Sequence, residues 1–289
     1  MTLEAATPAA DSTPPAQPRV AWYQKIISTD HLMRWLPALV IVLALLAFWQ
    51  IYVRAEHVNE IILPAPSDIA DTLWSQRATL LSNLWVTFQE IAIGFLLGTA
   101  AGIVLGVLIA YSVVLERALY PLVIASQVIP VFAIAPLLII WFGFGITPKV
   151  LIAAVIVFFP ICVNQVEGLR SADSGAVDLL RSYGVGEWGV FRMIRLPASV
   201  PYLLAGMQIG VTFSVIGAVI AEWVGAQQGL GALMLQANSQ SDTRLVFAAI
   251  VTVAIVGVLL FAAVRIVGDL VWPWQARSRQ RTSTLRGRA

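Results

Sequence analysis

Two lysines, two histidines and one cysteine are all that this chain of 289 residues contains of those types, and each scarcity closes a class of chemistry. Cys162 has no second cysteine to pair with, and its place inside an apolar run makes it a small packing residue. His31 and His57 both lie outside the long apolar stretches, with no His-Glu-x-x-His or paired ligands beside them, so a zinc site of the intramembrane-protease kind is excluded. Neither Lys25 nor Lys149 follows a glycine, so the phosphate-cradling Gly-x-x-x-x-Gly-Lys-Ser/Thr loop is absent and the chain supplies no nucleotide site of that type. Active transport would then draw on an ion gradient or a separate subunit. A Gly-x-Ser-x-Gly elbow is missing as well, and no catalytic residue, metal or cofactor is expected in this chain.

Charge is equally sparse, at 12% of residues against 59% hydrophobic, and the mean hydropathy of +0.83 places the sequence among all-α, polytopic membrane proteins. A span needs about 20 apolar residues to cross roughly 30 Å of hydrocarbon. Six stretches qualify, at about 35–54, 84–111, 118–142, 148–166, 200–223 and 245–271. Pro121, Pro130 and Pro136 fall in the third and Pro148 beside the fourth, so the third is expected to be bent or partly broken. Residues 1–34 lack the apolar core and cleavage site of a secretory signal and read as a cytoplasmic disordered tail followed by an interfacial segment. The six-span domain then covers 35–274. The tail 275–289, with Arg277, Arg279, Arg281, Arg286 and Arg288 and no acid, reads as a topology anchor meeting anionic lipid, not as a nucleic-acid site.

With the N-terminus inside, fourteen of the basic residues fall on the cytoplasmic side and only Arg54, Arg77, Lys149 and Arg244 outside. This positive-inside asymmetry puts both termini in the cytoplasm. Outside, Leu63–Trp74 predicts a short amphipathic helix capped by Ser67 and carrying Asp68 and Asp71. Gly94, Gly98, Gly102 and Gly106 recur every four residues on one stripe of the second span, a helix-packing face for a neighbour within the subunit or across an interface. Polar residues inside spans are costly and therefore candidates for a translocation path. Gln127, Asn164, Gln208, Thr212, Ser214 and Glu222 are the candidates, with interhelical hydrogen bonding as the competing role for each. No arginine or lysine stands at the centre of a span, which disfavours a deeply bound anion.

The longest cytoplasmic connection, 167–200, is polar and Gly-punctuated: helix-forming residues Ala176–Tyr183, an interruption at Gly184 and Gly186, then Glu187–Ile194 before Pro197 and Pro201. Tyr183, Val185, Trp188, Val190 and Phe191 are many apolar residues for a solvated loop, and a partner surface explains both them and the charges. Its spacing resembles the signature loop of ABC-importer permeases, Glu-Ala-Ala, three residues, Gly, nine residues, Ile-x-Leu-Pro. Here it reads Asp178-Leu179-Leu180, three residues, Gly184, nine residues, Ile194-Arg195-Leu196-Pro197. The acid is kept while two leucines replace the alanines, which alters the packing at those positions. "LPAPSDI", "AIAPLLIIWFGFG", "FFPICVNQVEGLR" and "AEWVGAQQGLG" extend the resemblance over nearly the whole chain, to the branch serving nitrate, sulfonates, taurine, thiamine-precursor pyrimidines and riboflavin.

The resemblance implies a type I ABC-importer permease of the bacterial inner membrane, a homodimer of six-span subunits. It further implies two ABC ATPase subunits that bind ATP and Mg, and an extracytoplasmic solute-binding protein. The segment Val185–Phe191, including Gly186, Glu187 and Trp188, would be the coupling helix seated on the ATPase. The Gln89–Glu90 pair and "SQVIPVFAIAPLLIIWFGFG" look more like the pyrimidine and riboflavin permeases than the nitrate, sulfonate and taurine ones. A secondary transporter or channel without an ATPase is the remaining alternative.

Overall fold

A computed structural model describes the backbone of residues 29–272 and the side chains of residues 36–272. The expected tail up to residue 28 and the basic tail 275–289 lie outside them. Among the described residues the chain is all-α, without strands. The described residues divide into two units, one ending at Ala55 and the other beginning at Glu56. The first unit contains α1 (Thr29–Ala55), whose stretch Leu36–Ala55 is apolar on every side and long enough to cross a bilayer.

The second unit opens with α2 (Pro66–Ser75), which presents Ile69 inward. Here the sequence expectation needs correcting: Ala65, not Ser67, occupies the N-cap, and no side chain caps the helix. Pro66 stands in the first turn, where its missing N–H costs nothing, and this starts the helix one residue before Ser67. Next come α3 (Arg77–Tyr111), α4 (Val113–Ser126) and α5 (Val131–Phe142). The last two meet at 98° and together make the broken counterpart of the expected third span. The cause is local. The N–H groups of Gln127, Val128 and Ile129 fold back onto the carbonyls of Ile124, Ala125 and Ser126 in a tightened i→i−3 turn, and Pro130 has no N–H with which to continue it.

Then follow α6 (Ile146–Arg170), α7 (Ser174–Ser182), α8 (Glu187–Val190) and, after a π-helical turn (Phe191–Arg195), α9 (Leu196–Gly225). The unit ends with α10 (Leu230–Ser239) and α11 (Thr243–Val271). Five helices are long and apolar enough to span a membrane, and the bent α4–α5 pair makes up to six.

The centre of the unit is α6, clasped between α3 and α9. The stripe Gly94, Gly98, Gly102 and Gly106 faces α6: a Cβ on Gly98 would sit 2.5 Å from the Ala154 carbonyl oxygen, and one on Gly106 2.8 Å from Gln165 Cβ. On the opposite side Gly206, Gly210 and Gly217 of α9 seat Asn164, Ile161 and Ile156 in the same way. With no hydrophobic effect to drive helices together in lipid, such backbone-close contacts supply the van der Waals packing that holds them.

Candidate functional site

Two constellations stand toward opposite ends of α3, roughly 36 Å apart from Thr87 to Tyr111 at 1.5 Å per residue. The first is the bracket α7–α8. Asp173 starts it, its carboxylate accepting from the Gly175 N–H at 3.1 Å. Gly184 ends α7 with φ +76°, while the Gly184 N–H donates to Arg181 O and the Val185 N–H to Leu180 O, the paired bonds of a Schellman closure. A side chain is strained in that left-handed conformation, so the glycine of the signature spacing has a backbone reason.

Arg181 ties the two short helices together. Its Nε donates to Glu187 at 2.8 Å and its guanidinium lies 3.5 Å from Asp178. Of the two leucines in the signature, Leu179 points outward and Leu180 is half-buried. Val177 and Val190 form the buried side of the bracket, and Val185, Ile194 and Pro197 are half-buried. Gly186 stands exposed as the N-cap of α8, and Leu196 is exposed where α9 begins. The outward tip carries Tyr183 at 77%, Trp188 at 73% and Met193 at 62% exposure, apolar surface set beside charge.

This tip is anchored to the spans through aromatic rings. Trp188 stacks on Phe191 with centroids 5.3 Å apart, and Phe191 meets Tyr111, the last residue of α3, edge-on at 5.4 Å. The Arg195 guanidinium covers the same Tyr111 ring at 5.3 Å. At this end α6 is also fastened to α4, by Arg170–Glu116 at 2.8 Å and by the Tyr120 hydroxyl donating to Glu167 at 2.8 Å. Tyr111, Glu116, Tyr120, Glu167 and Arg170 were not singled out from the sequence. A charged pair within "VEGLR", at the end of an apolar run, was the signal available.

The second constellation is a buried polar cluster where α10 begins. The Thr87 hydroxyl donates to Glu222 Oε1 at 2.7 Å and accepts from the Leu230 N–H at 2.8 Å. Glu222 Oε2 accepts from the Gly231 N–H at 2.5 Å, and Asn83 accepts from the Gly229 N–H at 2.9 Å. Side chains of α3 and α9 thus satisfy the donors that open α10, with a carboxylate at the positive end of the helix. Gly229 has φ +119°, and a Cβ there would run into the Glu222 carboxyl group. Beside it Lys149 Nζ donates to Glu90 Oε1 at 2.7 Å, with Glu90 fully buried and facing the Glu222 carboxyl group. Gln89, Glu90, Lys149, Phe144, Gln227 and Gln228 line a cavity of about 560 Å³.

The six residues expected along a path do not converge. Gln127 is exposed at the α4–α5 corner. Asn164 donates to the Pro160 carbonyl of its own helix at 2.7 Å. The Thr212 hydroxyl returns to Gln208 O at 3.0 Å, with Gln208 half-buried on the same α9 face, while buried Ser214 returns to Val211 O at 2.7 Å. Glu222 is the α10 cap just described. Among the described residues no side chain of the six hydrogen-bonds another.

The family model described as "Binding-protein-dependent transport system inner membrane component" matches residues 102–273. The formylaminopyrimidine transport permease ThiX of Halalkalibacterium halodurans is 35% identical over 81% of this chain and 94% of its own length. The riboflavin transport system permease RibX of Chloroflexus aurantiacus is 36% identical over 82% of this chain and 89% of its own. Among solved structures, the MetNI methionine ABC transporter in an inward-facing conformation superposes with a TM-score of 0.60 at 19% identity, over 68% of this chain and 98% of that one, a likeness of fold. The chain belongs to the binding-protein-dependent transport system inner membrane components, the multi-pass permease subunits of ABC importers.

Proposed function

We propose that this permease imports a small, uncharged nitrogen heterocycle of the aminopyrimidine or flavin kind, working as a homodimer with two ATPases gripped at the α7–α8 bracket. A binding protein delivers the solute at the end that carries α10. The observation behind the ATPase contact is the exposed Tyr183–Trp188–Met193 tip, tied through Phe191 to the end of α3. A partner that moves this tip moves a span with it. The named cargoes of the ThiX and RibX relatives support the solute class. An anionic cargo such as nitrate or a sulfonate would meet, in the cavity near α10, an ammonium already spent on Glu90 and a second carboxylate, Glu222, beside that pair.

The test is ATP-dependent uptake by proteoliposomes holding the chain with its co-purifying ATPase and binding protein. The expected result is uptake that requires ATP and is indifferent to an imposed ion gradient. Glu187→Arg turns the Arg181–Glu187 pair into a like-charge contact on the partner surface. It should leave membrane insertion intact and abolish solute-stimulated ATP hydrolysis. Gradient-driven uptake without ATP, or normal stimulation in the variant, contradicts this reading.

A further inference from the structure

We infer that Glu90 and Glu222 hold one proton between them, carried on Glu90, and that this proton completes a neutral hydrogen-bond chain joining α6, α3, α9 and α10. The site is independent of the cargo proposed above.

The charges of the cluster do not balance without it. Glu90 and Glu222 are 0% and 1% exposed and share a side-chain hydrogen bond, with Lys149, 9% exposed, as the cation beside them. The charged groups that act on the pair are each other and Lys149. Of the other helices packed here, α5 and α10 contain no ionisable residue, and Arg244 of α11 pairs with Glu60. Two carboxylates accept and cannot donate, so a hydrogen bond between them requires a proton. With that proton the cluster holds one ammonium and one carboxylate and is neutral. Without it, two like charges would touch and a net negative charge would be buried, which is costly.

The donors decide which carboxyl carries it. Glu222 accepts from two, the Thr87 hydroxyl on Oε1 and the Gly231 N–H on Oε2, and it stands at the positive end of α10, all of which suits a carboxylate. Glu90 accepts only from Lys149, on Oε1, so its Oε2 is the oxygen left to bear the proton and donate to Glu222. The chain of bonds then runs from Lys149 at the cavity wall, through Glu90 as a neutral acid, to Glu222 and the α10 backbone, and each link crosses to another helix.

At neutral pH the folded chain therefore binds one proton more than the unfolded chain. Stability falls as pH rises above the ordinary carboxyl range, by up to tenfold in the folding constant per pH unit, until the folded protein also releases the proton. Glu90→Gln supplies the same contacts permanently, since its amide N–H points to Glu222 while its carbonyl accepts from Lys149. The test uses the full chain in an ester-free detergent. At neutral pH the infrared difference between the unaltered chain and Glu90→Gln should show the C=O stretch of a protonated carboxyl. Glu90→Gln should melt near the unaltered chain in mildly acidic buffer, and the unaltered chain should then lose about 3–5 °C per pH unit relative to it. Glu222→Gln, which takes the charge from the start of α10 and an acceptor from Thr87 or Gly231, should melt below Glu90→Gln. Absence of the protonated-carboxyl band, parallel pH profiles for the unaltered chain and Glu90→Gln, or a Glu90→Gln chain that fails to fold overturns the shared proton. Glu222→Gln melting above Glu90→Gln overturns its placement on Glu90.

Discussion

Replacing Thr87 by valine removes one hydroxyl at nearly constant volume, and the geometry says what that hydroxyl is worth. It has a single proton and two acceptors in reach, Glu222 at 2.7 Å and the Asn83 carbonyl at 3.2 Å; the shorter contact to the charged group takes it. Its oxygen also accepts from Leu230, so Thr87→Val strips a charge-assisted bond from Glu222 and orphans a buried N–H at the start of α10. A hydrogen bond to a charged group contributes about 1.5–3 kcal/mol, and an orphaned buried donor costs about 1–3 kcal/mol, so a loss near 3–5 kcal/mol follows. At roughly 2–4 °C per kcal/mol for a chain of this size, the melting temperature in detergent should fall by about 6–20 °C. Hydrogen exchange at Leu230 and Gly231 should accelerate more than exchange elsewhere. Thr87→Ser is the matched control: it keeps the hydroxyl and deletes one methyl, at about 1 kcal/mol. If the valine and serine variants melt together and α10 exchange is unchanged, α10 is not held by this cluster and the account of Glu222 as its cap is wrong.

Two further outcomes are expected. Gly98→Ala places a Cβ 2.5 Å from a backbone carbonyl of α6 and should destabilise by about 1–3 kcal/mol, whereas Gly257→Ala, with its nearest neighbour at 3.9 Å, should be neutral or slightly stabilising; equal melting of the two would refute the close-packing argument. Tyr111→Ala removes the ring that meets both Phe191 and Arg195, and should lower solute-stimulated ATP hydrolysis while basal hydrolysis and complex assembly persist; unaltered stimulation would show that the bracket acts through α9 alone.

What the sequence disclosed, and what it withheld, follows from the range of each interaction. Spans are properties of about twenty consecutive residues, so hydropathy found them, and Pro130 announced the break between α4 and α5 because proline acts on its own backbone. The Gly94–Gly106 stripe was visible, but which helix it met was not, since the answer lies in the α6 residues that fill it. Gly206 and Gly210 carried the same spacing on α9 and passed unremarked. No periodicity marks α10: its opening donors are satisfied by Asn83 and Thr87, more than 140 positions away, and by Glu222. Lys149 was counted among the outside charges, at the start of the 148–166 stretch, yet α6 begins at Ile146 and carries it inward to Glu90, a pairing 59 positions apart. Glu222 was read as a path residue because an acid in a span is functional by default; that it also caps α10 depends on Thr87 and Gly231, which no local pattern joins to it.

The packing also determines how the two ends of the molecule can influence each other. From Gly94 to Gly106 α3 lies against α6 over about 18 Å, with every fourth position seated on backbone or on Ala, Val, Ile or Gln side chains. Sliding would drive these seats into positions that have no room, so α3 and α6 are held in register, and the glycines of α9 impose the same condition on the other side. The bracket is fixed to this block twice, through the Phe191–Tyr111 contact with α3 and through the unbroken π-turn into α9. On the proposed coupling role, a displacement at Trp188 is expected to carry this block, and with it Thr87, Glu90 and Glu222 at the far end. The α4–α5 corner is the contrasting element. Its turn uses i→i−3 bonds in place of the α-helical ladder, Pro130 donates none, and Val128 at 83% exposure is scarcely packed. This corner has little hydrogen bonding and burial to lose, so bending there is cheaper than shearing the glycine-seated helices.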